Sequence, residues 1–280
     1  MRLDIEPEVF RSGDPTTVTH LIALVVQGQH DWRPGLTVAL LAGRFIQRHA
    51  PVYAEFMEKA LVEAANPVPP APRVARVEAA NLREIFLDLR KAAVLIVENV
   101  LGEGNFVGAV AAALGDQRIV EALKDENGWL RLGGPGGFGQ MPALAVRECD
   151  GFKLVKRVAM VVDSDRSEHG QESPRQKTVE KARLAGVDEI HMLAWRMMEN
   201  YVPFRVWHRH FPVKDEQISK LRGMIPQQRG YHNLKKEFGS RMPKQMFPDD
   251  LSLSEDDFAE LGPDVVAELR ELLAMIHRIL

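Results

Sequence analysis

The chain has a single cysteine, Cys149, among its 280 residues. One thiol makes neither an intramolecular disulfide nor a cysteine-built zinc site, so disulfide scaffolds and zinc modules are excluded. Long apolar runs are missing too. Leu21–Val26 and Ala92–Val97 are strand-sized or core-sized, far short of the roughly 20 residues that cross a bilayer. The N-terminus, MRLDIEPEVF, carries acids early and no apolar stretch, which argues against a signal peptide. The expectation is a cytoplasmic protein in a reducing setting without membrane contact. A Gly-x-x-x-x-Gly-Lys-Ser/Thr phosphate loop is absent: GGPGGFG at Gly133–Gly139 has the glycines but no lysine follows. Any nucleotide-driven step would therefore belong to another chain. No internal repeat is present.

Nor does charge of one sign dominate, since 36 Lys+Arg face 39 Asp+Glu. The distribution is uneven, however. Phe204–Met246 holds ten Lys or Arg against three acids, a balance of +7, and Phe247–Leu280 holds nine acids against two arginines, a balance of −7. Two such blocks either offer a polyanion-contacting surface beside a separate acidic element or pack against each other.

What is there fits an ordinary globular protein, with 45% hydrophobic and 27% charged residues. The stretch NPVPPAPR at Asn66–Arg73 has four prolines in eight residues and predicts a semi-rigid linker. Before it, Thr16–Gln27, Leu36–His49 and Tyr53–Ala65 predict helices. After it, the apolar runs Ala92–Val97, Trp129–Leu132, Val158–Val162 and Ile190–Trp195 alternate with helical segments, the pattern of an α/β fold with a mostly parallel sheet. The predicted organisation is a helical module over 1–65, a linker over 66–73, an α/β domain over 74–214 and a helical region over 215–280.

In open parallel sheets, functional groups gather at the carboxyl ends of the strands. Here Ala92–Val97 runs into Glu98, and Val158–Val162 runs into Asp163-Ser164-Asp165. Asp163 and Asp165, two apart in an extended segment, are expected to point the same way. Carboxylates gathered in this way stay ionised together when a cation sits among them, and hard oxygen donors suit Mg²⁺ or Mn²⁺. Other features carry less. His208-Arg209-His210 lacks accompanying acids or cysteines for a metal, and Ser164 and Ser167 lack His-Asp partners for nucleophilic work.

VLIVEN at Val94–Asn99, LRLGGPGG at Leu130–Gly137 and VAMVVDSDR at Val158–Arg166 together resemble the Toprim domain, the fold shared by topoisomerases, bacterial primases and several nucleases. The resemblance covers about Lys91 to Pro203 and implies a Rossmann-like sheet with Glu98, Asp163 and Asp165 as metal ligands. Asn99 stands where the family usually has Gly, and Asn is the next most tolerant residue of a left-handed turn. RMMENYVP at Arg196–Pro203 is similar to a stretch in anti-phage Toprim nucleases of the overcoming-lysogenisation-defect group. That similarity adds Glu199 as a metal-proximal acid; the alternative is that Glu199-Asn200 ends the strand while Tyr201 packs in the core. Lys235, in YHNLKK, would return a cation to the scissile phosphate. Arg166, Arg196, Arg222, Arg229, Lys235 and Lys236 are the candidate nucleic-acid contacts.

The implied activity is Mg²⁺- or Mn²⁺-dependent cleavage of DNA or RNA, DNA favoured, in bacterial phage defence, with an ATPase or other defence-system subunit as partner and a homo-oligomer as further expectations. A topoisomerase needs a nucleophilic tyrosine on a separate DNA-gate domain, for which only Tyr53, Tyr201 and Tyr231 are available; a primase needs a zinc module. Two alternatives remain. One is a non-catalytic Toprim-like scaffold that binds nucleic acid or a partner protein. The other is a haloacid-dehalogenase-like phosphatase, which DSDRS at Asp163–Ser167 resembles but which expects its Asp-x-Asp after the first strand.

Overall fold

The computed structural model describes residues 1–66, 73–124, 128–239, 246–247 and 251–280. Apart from its two end residues, the predicted linker lies outside this set. The chain divides into two compact units, the first comprising Met1–Ala93, Gly151–Arg157 and Arg278–Leu280, the second Val94–Asp150 and Val158–His277.

The first unit was expected to be helical over 1–65, and the structure corrects this. Strands β1 (Arg2–Ile5), β2 (Asp31–Trp32) and β3 (Val74–Val77) form a parallel sheet in the order β2-β1-β3. These strands are two to four residues long and show at most two inward residues each, too little for a period-2 signal. Because β3 pairs with β1, the unit extends past the proline-rich stretch to Ala93. Its helices include Pro15–Val26, which starts where Pro15 fixes the first turn and Asp14 accepts a hydrogen bond from Thr17 N at 2.8 Å. Val18, Leu21, Ile22, Phe45 and Ile46 from the helices close over Leu3 and Ile5 of β1. Buried Arg157 ties the unit's segments together, donating to the carbonyls of Leu89, Lys91 and Ile279 at 2.7–2.8 Å.

The second unit holds β4 (Ala93–Ile96), β5 (Leu130–Gly133), β6 (Val158–Val162) and β7 (Glu189–Met192), in the order β5-β4-β6-β7. β4, β6 and β7 run parallel, with Val94 beside Val158 and Met160 beside Ile190. Every residue of β4 and β6 is buried, as strands covered on both faces require. Helices Val100–Ala113, Met141–Asp150 and Gln176–Leu184 connect the strands. Met141–Asp150 has no counterpart in the sequence reading, since MPALAVRECD is short and has a proline at its second position. The described residues from 215 to His277 belong to this same unit, including most of the helix Val265–Ile279. Among the described residues no helix is long and apolar enough to cross a membrane.

The strand order decides where a site can form. From β4 the chain crosses to β5 on one side and then to β6 on the other. This reversal opens a crevice beyond the carboxyl ends of β4 and β6.

Candidate functional site

Glu98 and Asp163 leave β4 and β6 at that crevice. Extending the register Ile96↔Met160 brings the two residues within one step of the same level. Asp163 is half-buried, and its Oδ1 accepts a hydrogen bond from Met198 N at 2.9 Å. Burial, then the charges of Glu199, Glu103 and Asp165, hold its carboxyl well above the ordinary range. Glu103 behaves alike: burial first, then Glu98 and Glu199, push it up to about 7. Glu199 thus acts on both Asp163 and Glu103, Glu103 acts on Asp163, and Glu98 acts on Glu103.

Glu103 escaped the sequence reading because an acid in a first helical turn is ordinarily a partner of the helix dipole. The turn that carries it begins at Asn99, whose Oδ1 accepts from Leu101 N at 3.0 Å and Gly102 N at 3.4 Å, while Glu103 Oε2 accepts from Asn99 N. Asn99 has φ −133°, so no left-handed turn exists here; Asn99 is the N-cap of the helix that follows. Glu98 and Asn99 line a cavity of about 430 Å³ together with Gly134, Gly136 and Gly137 of the loop after β5.

Asp165 departs from expectation. It has φ +51°, a left-handed conformation, so Asp163 and Asp165 do not share an extended segment. Its carboxylate accepts from Arg175 Nε at 2.5 Å and pairs with the same guanidinium, which lies 3.6 Å from the centroid of the Phe138 ring. Its charge is therefore already matched by a protein cation. Between the two acids Ser164 is fully buried, donating to Trp195 O at 2.7 Å.

Glu199 lies in the one-turn segment Met198–Tyr201. Lys235 Nζ stands 3.7 Å from its Oε1. The residues after Glu199 take the structural part: Asn200 Nδ2 donates to the carbonyls of Arg229 and His232, and buried Tyr201 donates to Glu268 Oε2 at 2.6 Å while accepting from Trp195 N at 2.9 Å.

The basic contacts divide. Lys235 and Lys236 are exposed, Arg166 and Arg196 half-buried. Arg229 is buried, with its guanidinium over the Trp195 and Phe204 rings, so it is not a surface contact, correcting the expectation for this residue. Arg222 is exposed but pairs with Glu260 at 3.5 Å, and Arg205 pairs with Asp257 at 2.6 Å. The basic and acidic blocks thus meet at these residues. Of the basic block, Arg241 and Lys244 lie outside the described residues. His208 pairs with Asp215 at 3.2 Å and His210 bonds Met246 O at 3.0 Å, each with its own partner.

Set against protein-family models, curated proteins and solved structures, this chain matches none. Function is then argued from the site alone.

Among the described residues no three Asp, Glu, His or Cys side chains are already gathered about one point to hold a metal. The donors nevertheless have the chemistry of a Mg²⁺ site. Among the described residues no basic side chain pairs with Glu98, Glu103 or Asp163, and after burial the neighbouring carboxylates raise the proton affinity of Glu103 and Asp163. Mg²⁺ commonly takes one or two protein carboxylates, keeping waters or substrate phosphate elsewhere, and does not require a closed cage. Glu98 and Asp163 fit that pattern; Asp165 does so only when Arg175 releases it.

Proposed function

We propose that the chain is a Toprim-type phosphodiesterase, dependent on Mg²⁺ or Mn²⁺, that cleaves DNA, with RNA as the second substrate candidate. The observation that carries this reading is the group of mutually repelling acids at the crevice between β4 and β6. An ordinary fold gains little from such a group, because half-buried acids such as Glu98, Glu103 and Asp163, with no basic partner among the described residues, cost stability. A site that binds a cation recovers the cost on binding.

Glu98 and Asp163 would hold the cation, with Glu199 beside them. When bound, the metal lowers the pKa of an attacking water and neutralises charge developing on the phosphate. The protein's own groups do the rest. Met198 N fixes the Asp163 carboxylate. Glu103, near neutrality in proton affinity, takes or returns a proton at its carboxyl. Lys235 supplies the positive charge that lets a phosphodiester approach an acidic crevice. A role in bacterial phage defence beside an ATPase chain extends the reading from the stretch Arg196–Pro203.

The ion pair between Asp165 and Arg175 favours a second reading, a non-catalytic scaffold in which one acid has been neutralised. A haloacid-dehalogenase-like phosphatase is disfavoured by chain order, since β4 and Glu98 precede Asp163.

The test is the purified protein with plasmid, linear DNA and RNA in Mg²⁺ or Mn²⁺. Cleavage should appear with metal, vanish with chelator, and fall by at least about a hundredfold in Asp163→Asn, the scale of losing one electrostatic stabiliser. Turnover of p-nitrophenyl phosphate without nucleic-acid cleavage would instead mean a phosphatase. Nucleic-acid binding with no cleavage under any metal would leave the scaffold.

A further inference from the structure

A second cavity, of about 510 Å³, opens on the same loops as the acids and is used by nothing in the proposed chemistry. His169, Arg196, Gln227, Gln228, Tyr231 and Asn233 line it. The His169 and Tyr231 rings stand 6.2 Å apart at 79°, an open aromatic corner. A flat heterocycle laid on one ring meets the edge of the other, the favoured geometry of aromatic contacts. Three of the lining side chains, Gln227, Gln228 and Asn233, are amides, whose paired donor and acceptor match the edges of nucleobases, and one, Glu168, is an acid. Arg196 adds a cation whose Nε is buried without a hydrogen-bond partner among the described residues. A buried guanidinium nitrogen left unpaired is costly unless a ligand oxygen completes it.

The cavity is also tied to the acids through the backbone. Asp165 N donates to Arg196 O at 2.8 Å, Arg196 N donates to Gly230 O at 2.9 Å, and Asn233 lies two residues before Lys235.

We propose that this cavity receives one unpaired base of the substrate strand, with Arg196 on the flanking phosphate. This rests on the nuclease reading and sharpens it: the preferred substrate has a single-stranded segment, a frayed end or an extruded base, because a base inside a duplex cannot enter. The chemistry that recognises it is stacking plus an amide-read edge, not a sequence-blind phosphate surface.

The experiment uses the full chain without metal, so that binding is read apart from cleavage. A single-stranded oligonucleotide carrying one 2-aminopurine is titrated with wild type, Tyr231→Ala, Tyr231→Phe and His169→Ala, beside a blunt duplex and an oligonucleotide with one abasic position. Stacking should quench the 2-aminopurine. Tyr231→Ala should weaken single-strand binding by about tenfold, the scale of one base-stacking ring, while Tyr231→Phe should keep it. His169→Ala, at an exposed loop position, should also weaken it. Should Tyr231→Ala fail to fold, the His169 variant and the abasic probe decide. Equal binding of duplex and single strand, with no quenching and no loss in His169→Ala, overturns the base cavity while metal-dependent cleavage stands or falls in its own assay. Quenching without any cleavage upholds the cavity and removes the nuclease.

Discussion

Ser164 stands between the two acids of the Asp-x-Asp stretch, and from its position alone its substitution would be expected to matter little. Its surroundings say otherwise. The hydroxyl, itself buried, donates to the part-buried Trp195 O, and its own carbonyl accepts from buried Ser173 Oγ at 2.6 Å. Ser164→Ala removes one hydrogen bond to Trp195 O and should destabilise by about 1 kcal/mol, read as a lowered denaturation midpoint. At Glu103 the effect runs through pH. Its carboxyl is pushed up to about 7 in the fold from an ordinary 4.5, so the folded chain holds a proton that the unfolded chain has lost between those values. Stability is then highest below about 4.5 and falls as pH rises through about 7, by up to about 3 kcal/mol for this group, with Asp163 adding in the same sense. Melting curves at pH 5 and pH 8 should differ less in Glu103→Gln than in wild type. Mg²⁺ should raise the wild-type midpoint at pH 8 more than at pH 5.

The element that organises the site is the helix Val100–Ala113, more than either strand. Its start is set by Asn99, and that cap holds Glu103 toward the crevice. Asn99→Ala should cost about 1 kcal/mol of stability, and Asn99→Gly only a few tenths, because glycine leaves the N-terminal amides open to water. Thermal denaturation of both variants checks this; a glycine variant more stable than wild type would contradict the cap. The segment after β7 is set as closely. A Cβ on Gly230 would meet the Trp195 ring at 2.5 Å, so the backbone that flanks Arg196 and Tyr231 depends on that glycine.

At the scale of the whole molecule, charge is arranged by pairing and not by blocks. The basic stretch carries +7 in sequence, yet Arg205 and Arg222 face acids of the following stretch and Arg229 is buried. Lys235→Glu should therefore weaken nucleic-acid binding and flatten its salt dependence by about one phosphate contact, whereas Arg222→Glu should mainly disturb its contact with Glu260. Filter binding over a salt series separates the two. Equal losses would mean that Arg222 leaves Glu260 to contact the backbone.

The alternation of buried apolar runs with helical segments was enough to read the second sheet: β6 lies at Val158–Val162 as expected, and β4 within a residue or two at each end. Local pattern also told that Glu98 and Asp163 end strands, because a strand's end is a local event. The first sheet was illegible, since β1 and β3 meet across some seventy residues and neither is long enough to show a period. Which acids gather at the crevice was likewise a tertiary matter. Asp165 turned away at a left-handed residue to Arg175, while Glu103 arrived from a helix turn that reads as dipole compensation. Charge pairing and cavities depend on distances between segments remote in sequence, and those distances exist only once the chain is folded.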